Sequence, residues 1–334
     1  MKVLYVLAYC PQNSEAYVDA EMSYVIGRGI SVAVWSPRAG YGDTPRVQVY
    51  RDSLAAAIGA FRPDVIHIHH MTTAAYYLDQ LPDNGSTTIR AHSFDWDDAL
   101  AARLIGSSKV RRIFAFPHLA RRANDVEIEP MPVAYDPSLY YRSPKDRNLV
   151  VRVSAGLPTK RLEDFIDVGN QLAKFARFTL AMNMIVGLES TIVEKMRALN
   201  QLQGGHVKIL TNLSRADVSA LVRDAGIYMS TYDEKSHPFG MPISIAEAQA
   251  TGAVVLVRDG DPAIPGVAEY LGPEGIRYLS PVGAAGVIRS ILDWKDADWK
   301  DAADSACRNA ERFRSDVVLP RLIEEWNRIC LDNF

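Results

Sequence analysis

The sequence predicts an α/β protein of two doubly wound, parallel-sheet domains facing a central cleft, with a helical C-terminus. Three observations carry this. Short apolar runs of strand type alternate with helix-length amphipathic stretches, the pattern of strands joined by crossover helices. The alternation breaks once, over residues 126–147, where Pro130, Pro132, Pro137 and Pro144 form a proline-rich connection, and then restarts. A chain of 334 residues, 48% of them hydrophobic and 23% charged, exceeds one core and suits two.

In the first half the strand-type runs fall at 2–9, 31–36, 47–50, 64–69, 87–91 and 112–116, and the spacing turns helical at 15–28 and 52–61. After the connection, strand-type runs recur at 148–154, 177–182, 206–211, 227–231, 253–257 and 276–279, each separated by a helix-length stretch. From 283 onward the chain reads as helix, with Trp294, Trp299, Phe313, Leu322, Ile323 and Trp326 as apolar anchors. The expected organisation is a first domain over 1–145, a second over 146–310, and a terminal helix at 311–334 packing back on the first. Ligands of such sheets bind beyond the carboxyl ends of the strands.

Composition excludes several classes. A net charge of −3 supplies no field that would draw the whole molecule onto nucleic acid or an anionic membrane. The densest basic run, Lys109 to Arg112 with Arg121 and Arg122, suits a solvated edge, an anionic acceptor or peripheral contact with a lipid surface. Cys10, Cys307 and Cys330 match neither a disulfide framework nor a zinc spacing. No apolar stretch approaches the length of a membrane span, and the chain opens directly on a strand-like run. The expected location is the cytoplasm; the oligomeric state is not readable.

After the first strand the sequence runs Ala8-Tyr9-Cys10-Pro11-Gln12-Asn13-Ser14-Glu15, without a Gly-x-Gly-x-x-Gly fingerprint, and a Walker loop is absent too. Any bound anion must be held by other helix N-termini and basic side chains. The first candidate is the loop after the 227–231 strand. Phe239-Gly240-Met241-Pro242 offers a residue without a side chain for close ligand approach and a proline suited to a helix start. Glu247 lies one turn into the following helix, where a carboxylate can accept hydrogen bonds from sugar or ribose hydroxyls, and Gly252 closes that helix. His237 either donates to a ligand or packs the loop.

A second candidate is the strand-loop-helix junction Val153 to Asp164, holding Gly156, Lys160 and Arg161; alone, such a basic pair is usually a solvated helix end. A third is Arg90-Ala91-His92-Ser93-Phe94-Asp95, where His92 ends a strand and is placed either for chemistry or as a core histidine. Near the N-terminus, Ser14 suits a helix cap over Tyr17 and Val18. Within His67-Ile68-His69-His70, strand alternation sets His67 and His69 on one face, compatible with a divalent ion, but no nearby cysteine or carboxylate pair completes a site, so no metal is expected.

Taken in order, these segments resemble glycosyltransferase family 4. Its members carry an acidic residue, then Phe-Gly, then Glu-Ala and a small-residue helix ending in Gly before a buried strand; here stand Phe239-Gly240, then Glu247-Ala248-Gln249-Ala250-Thr251-Gly252 and Val254 to Val257. Lys160 falls on the family lysine of the Gly-Arg-Leu and Lys-Gly pair, His92 and Asp95 match its His-Gly-x-Asp, and Asp64-Val65-Ile66-His67-Ile68-His69 matches a run that binds no metal there.

The resemblance implies the GT-B fold and transfer of a hexose-like sugar from a nucleotide donor, with retention at the anomeric carbon and no required metal or other cofactor. It assigns Lys160 and Arg161 to the departing diphosphate, Glu247 to the ribose, and His237, Glu234, Phe239, Gly240, Met241, Pro242 and Gly156 to donor sugar and phosphates. His92 lies near the reacting sugar, with Asn13, Ser14, Glu15 and Asp95 toward the acceptor, which is a glycan, a lipid-linked sugar or a small natural product. Two departures stand out: His237, or Glu234 three residues earlier, occupies the place of the family's first Glu, with two extra residues between Phe239 and Glu247; and Ala155 occupies the arginine's place, leaving Arg161 or Arg152 as second cation. A non-catalytic nucleotide-sugar binding protein and a GT-B epimerase or phosphorylase are the alternatives.

Overall fold

The computed structural model describes residues 1–10, 12, 15–43, 46–92, 95–120, 128–184, 189–232, 242–258, 267, 270–272 and 275–332. The first half runs β1 (Lys2–Val6), α1 (Ala16–Gly27), β2 (Ser31–Trp35), β3 (Gln48–Tyr50), α2 (Leu54–Phe61), β4 (Val65–His69), α3 (Met71–Tyr77), β5 (Thr87–Arg90), α4 (Asp98–Ile105), β6 (Val110–Ala115), α5 (Pro117–Ala120) and β7 (Ile128–Pro130). The second runs β8 (Asp146–Ala155), α6 (Leu162–Gln171), β9 (Arg177–Asn183), α7 (Glu189–Leu202), β10 (Val207–Thr211), α8 (Arg215–Asp224), β11 (Ala225–Ser230), α9 (Ile243–Ala250), β12 (Val254–Arg258) and β13 (Ile276–Tyr278). Helices α10 (Pro281–Leu292), α11 (Asp296–Ala310), α12 (Ser315–Val318) and α13 (Pro320–Asp332) follow, so the helical C-terminus is broken into segments.

Both sheets are parallel. The first has the order β3-β2-β1-β4-β5-β6-β7 and the second β10-β9-β8-β11-β12-β13. The central strands are continuous apolar runs because helices cover both faces; Leu4, Val6, Ile66 and Ile68 are buried in one layer, with Val3, Tyr5 and Val65 in the other. In each sheet the winding reverses between the first strand and the fourth, at β1/β4 and at β8/β11, and a crevice opens at the carboxyl ends of such a pair. These two switch points position everything that follows.

The strand β7 lies inside the stretch the sequence assigns to a proline-rich connection. It pairs with β6 at the sheet edge and ends on Pro130, a place that tolerates a residue without an N–H. Beyond it, Tyr135 receives the C-terminal segment: its N–H donates to the Phe313 carbonyl at 2.9 Å and its carbonyl accepts from Ser315 at 3.0 Å. Helix α13 then lies on the first sheet, where Trp326 is wholly buried and its indole N–H donates to Thr88 Oγ1 at 3.1 Å. Gly252 adopts φ +80 just past α9, the left-handed closure its position calls for. Among the described residues, no helix is long and apolar enough to cross a membrane.

Candidate active site

At the first switch point, β4 ends in His69 and β5 runs on into His92. Asp95 organises the turn: one carboxylate oxygen accepts from the His92 backbone N–H at 2.8 Å, and the other accepts from Met71 N at the start of α3. The His92 ring sits beside His69, with Nε2 3.2 Å from His69 Nδ1, and 4.3 Å from the centre of the His70 ring. His70, held at φ 77, places its Nε2 3.4 Å from Glu15 Oε1. Burial, aided by the neighbouring His70 and His69, holds His92 well below the ordinary imidazole range, so the ring is neutral. The structure thus brings His92, Asp95 and Glu15 together at one strand-end cluster. Here His92 is buried and hydrogen-bonded, a satisfied histidine at a chemically useful place. Asn13 and Ser14 lie outside the described residues.

Beneath this cluster, the pleat does set His67 and His69 on one face, and the carboxylate absent from their sequence neighbourhood arrives from α1: Glu21 Oε1 is 3.2 Å from His67 Nε2 and 3.4 Å from His69 Nε2. Glu21, His67 and His69 offer ligand atoms that all lie within 4.8 Å of one another, close enough to share an ion.

At the second switch point, Lys160 ends a single turn of 3-10 helix, Pro158–Lys160. Its carbonyl accepts from Thr231 Oγ1 at 2.7 Å, which ties the loop after β8 to the loop after β11. Burial first, and then the charge of Arg152, push the Lys160 ammonium down to about 7. Gly156 lets this loop lie close: its N–H donates to the Asn183 carbonyl at 2.9 Å, and a Cβ there would meet Ile192 Cγ2 at 3.1 Å.

The two arginines considered as second cation are differently placed. Arg152 is built into the sheet, donating to Val153 O and Tyr228 OH at 2.9 Å each and to Thr231 O at 3.0 Å. Arg161, itself in the left-handed region at φ 47, pairs at 3.0 Å with Asp164, which Arg258 also engages at 2.8 Å. Pro242 directly precedes α9. Glu234, His237, Phe239, Gly240 and Met241 lie outside the described residues.

Glu247 is buried in α9 facing Tyr140 and Arg215, with its Oε1 3.8 Å from Arg215 Nη1. Burial raises its carboxyl above the usual range and Arg215 opposes the rise. Arg215 is the residue sequence reasoning missed. It opens α8 behind the cap Ser214 and reaches across to the first domain: its Nε is 3.9 Å from Asp19 of α1, and its N–H donates to Asp43 at 3.1 Å. A cation at a helix N-terminus opposes the helix dipole, and that was the available signal. Beside it a cavity of about 330 Å³ opens between the domains, lined among others by Tyr9, Glu15, Asp19, Asp43, Asp136 and Arg215, within the usual size range of small-molecule sites.

Residues 141–306 match the model of the family described as glycosyl transferases group 1. Among solved structures, the fold is similar to HepE of Anabaena in complex with UDP-glucose, at TM-score 0.73 and 16% identity, covering 98% of this chain and 100% of that one. It is similar also to sucrose-phosphate synthase of Thermosynechococcus elongatus, at TM-score 0.71 and 14% identity over 98% and 99% of the two chains. A third similar structure is AviGT4, a glycosyltransferase involved in avilamycin A biosynthesis, at TM-score 0.65 and 17% identity over 99% and 98%. No curated protein matches the chain. The chain has the GT-B fold, and together these findings support a glycosyltransferase.

Proposed function

We propose that this GT-B chain is a retaining glycosyltransferase of the family 4 type, moving a hexose from a nucleoside diphosphate sugar to an acceptor seated against the first domain. The observation that carries the reading is the gathering of the motif residues at the two switch points, Lys160 at one and His92 at the other, with Arg215 spanning the two domains. The family match covers the half that would hold the donor.

Negative charge builds on the diphosphate as the glycosidic bond breaks, and a preformed cation in a water-poor site stabilises it. Lys160 supplies that charge, with Arg161 at the mouth of the same loop. With its pKa held at about 7, Lys160 is partly the neutral amine near neutral pH, and that amine takes up a proton when the dianionic group arrives, so binding and charging are coupled. The Glu247 carboxylate accepts hydrogen bonds from the ribose, and Pro242 with the segment Phe239 to Met241 and His237 holds donor sugar and phosphates. Gly156 keeps the phosphate loop close. His92 faces the reacting sugar, with Asp95 fixing its backbone and Glu15 toward the acceptor. No metal is needed at the diphosphate in this scheme, and the three cysteines are free thiols, which suits the cytoplasm.

The HepE complex makes UDP-glucose the first donor to try. Incubation with a panel of nucleoside diphosphate sugars and acceptors, with nucleotide release followed by chromatography and the product anomer by NMR, tests the reading. Acceptor-dependent nucleotide release with the donor's anomeric configuration kept in the product is expected. An inverted product overturns retention, and donor conversion that ignores the acceptor points to an epimerase instead.

A further inference from the structure

One buried group takes no part in the transfer scheme. Glu21 Oε1, His67 Nε2 and His69 Nε2 converge on one point between α1 and β4, and their side chains are 5%, 0% and 1% exposed. None of the three atoms makes a well-directed hydrogen bond; the carboxylate meets the two rings only in close contacts of 3.2 and 3.4 Å. A carboxylate oxygen and two ring nitrogens buried in this way are costly to leave unpaired.

An ion at their common point satisfies all three. Around a tetrahedral zinc-class ion with bonds of about 2.0–2.2 Å, neighbouring ligand atoms stand about 3.3–3.6 Å apart. The two carboxylate–imidazole separations here are 3.2 and 3.4 Å. Two histidines and a glutamate also form a known ligand set for zinc.

The surroundings match what ligating histidines require. Each ring uses its other nitrogen for an outer contact: His67 Nδ1 lies 2.8 Å from Thr88 Oγ1, and His69 Nδ1 lies 3.2 Å from His92 Nε2. Thr88 Oγ1 in turn accepts from the Trp326 indole, so the outer contact is itself fixed. Such partners set the tautomer that leaves Nε2 free to bind a metal. Tyr5 packs its ring 5.3 Å from that of His67, and its hydroxyl is also buried without a hydrogen-bond partner.

We propose that Glu21, His67 and His69 bind a divalent ion of the zinc class, with the Tyr5 hydroxyl beside the fourth position. The ion ties α1 to β4 and stands apart from the donor diphosphate. With Nε2 on the metal, the remaining proton of His69 sits on Nδ1 and is donated to His92 Nε2, which positions the His92 ring. That last consequence alone rests on the role given to His92 above.

The test reads metal, not turnover. Protein produced with zinc in the medium is assayed for metal content by mass spectrometry, its melting temperature is followed through chelation and Zn²⁺ re-addition, and Co²⁺ is substituted to record the visible spectrum. About one ion per chain, a melting temperature lowered by chelator and restored by Zn²⁺, and the intense bands of tetrahedral Co²⁺ are expected. Glu21→Gln and His67→Gln should each lose the ion; where a variant fails to fold, the wild-type Co²⁺ spectrum decides. Zinc-replete protein without the ion and indifferent to chelator overturns the proposal, as does full metal content in both variants. A failure of the transfer reading leaves these results unchanged.

Discussion

Lys160 offers the sharpest separation of stability from activity. Its ammonium is moved from 10.5 to about 7 on folding, chiefly by burial. Between those limits the unfolded chain binds the extra proton, so stability rises with pH across the window; the penalty is greatest at and below pH 7 and gone above 10.5. At 1.36 kcal/mol per unit the ceiling is about 4–5 kcal/mol, and relaxation of a partly solvated site leaves about 1–3 kcal/mol. Lys160→Gln removes that penalty and should raise the melting temperature by roughly 1–4 °C near neutral pH, with little gain at pH 10. In the proposed scheme the same change removes the cation assigned to the leaving diphosphate and should lower kcat by about 10²–10³. Urea unfolding at two pH values and steady-state kinetics on the same preparation check both halves. A variant less stable than wild type at pH 6.5, or one with unchanged kcat, refutes the reasoning. For the wild type, donor KM should rise as pH climbs above 7, because binding must then take up a proton.

Glu247→Gln should weaken donor binding by about 10–100-fold in calorimetry, the worth of hydrogen bonds to a charged acceptor; an unchanged Kd removes the ribose role. His92→Ala should cut kcat by about 10²-fold while donor Kd stays within a fewfold; a parallel collapse of stability and binding would make His92 part of the fabric alone. Trp326→Ala should cost about 3–5 kcal/mol in urea unfolding, since the indole is wholly buried and hydrogen-bonded to Thr88. A loss under 1 kcal/mol would contradict the docking of α13 on the first sheet.

The parallel strands were legible because strands covered on both faces are near-continuous apolar runs: Lys2–Val6 and Val254–Arg258 are recognisable without any partner in view. Gly252 was legible for a local reason too, the closure of a helix by a left-handed residue. Ile128–Pro130 was not, since three residues ending on proline carry no strand signal until a neighbouring edge is there to pair with. The same division runs through the site. Lys160 and His92 lie in the segments that follow strands, which local pattern reveals. Arg215 and Glu21 gain their roles from elements far away in the chain; in sequence, one shows only as a cation after the cap Ser214 and the other as a glutamate within the first helix. Arg152 shows the converse, a candidate cation whose two terminal nitrogens donate to Val153, Tyr228 and Thr231 once the sheet forms.

The central claim is that the second switch point binds a nucleoside diphosphate sugar. A thermal-shift titration of the wild type and Glu247→Gln against a panel of such sugars, UDP-glucose first, tests it most directly. Ligand at 100 times its Kd stabilises the folded state by about 2.7 kcal/mol. At least one donor should therefore raise the wild-type melting temperature in a saturable way and shift the variant much less. A panel that moves neither protein at millimolar concentrations, or moves both alike, contradicts the account.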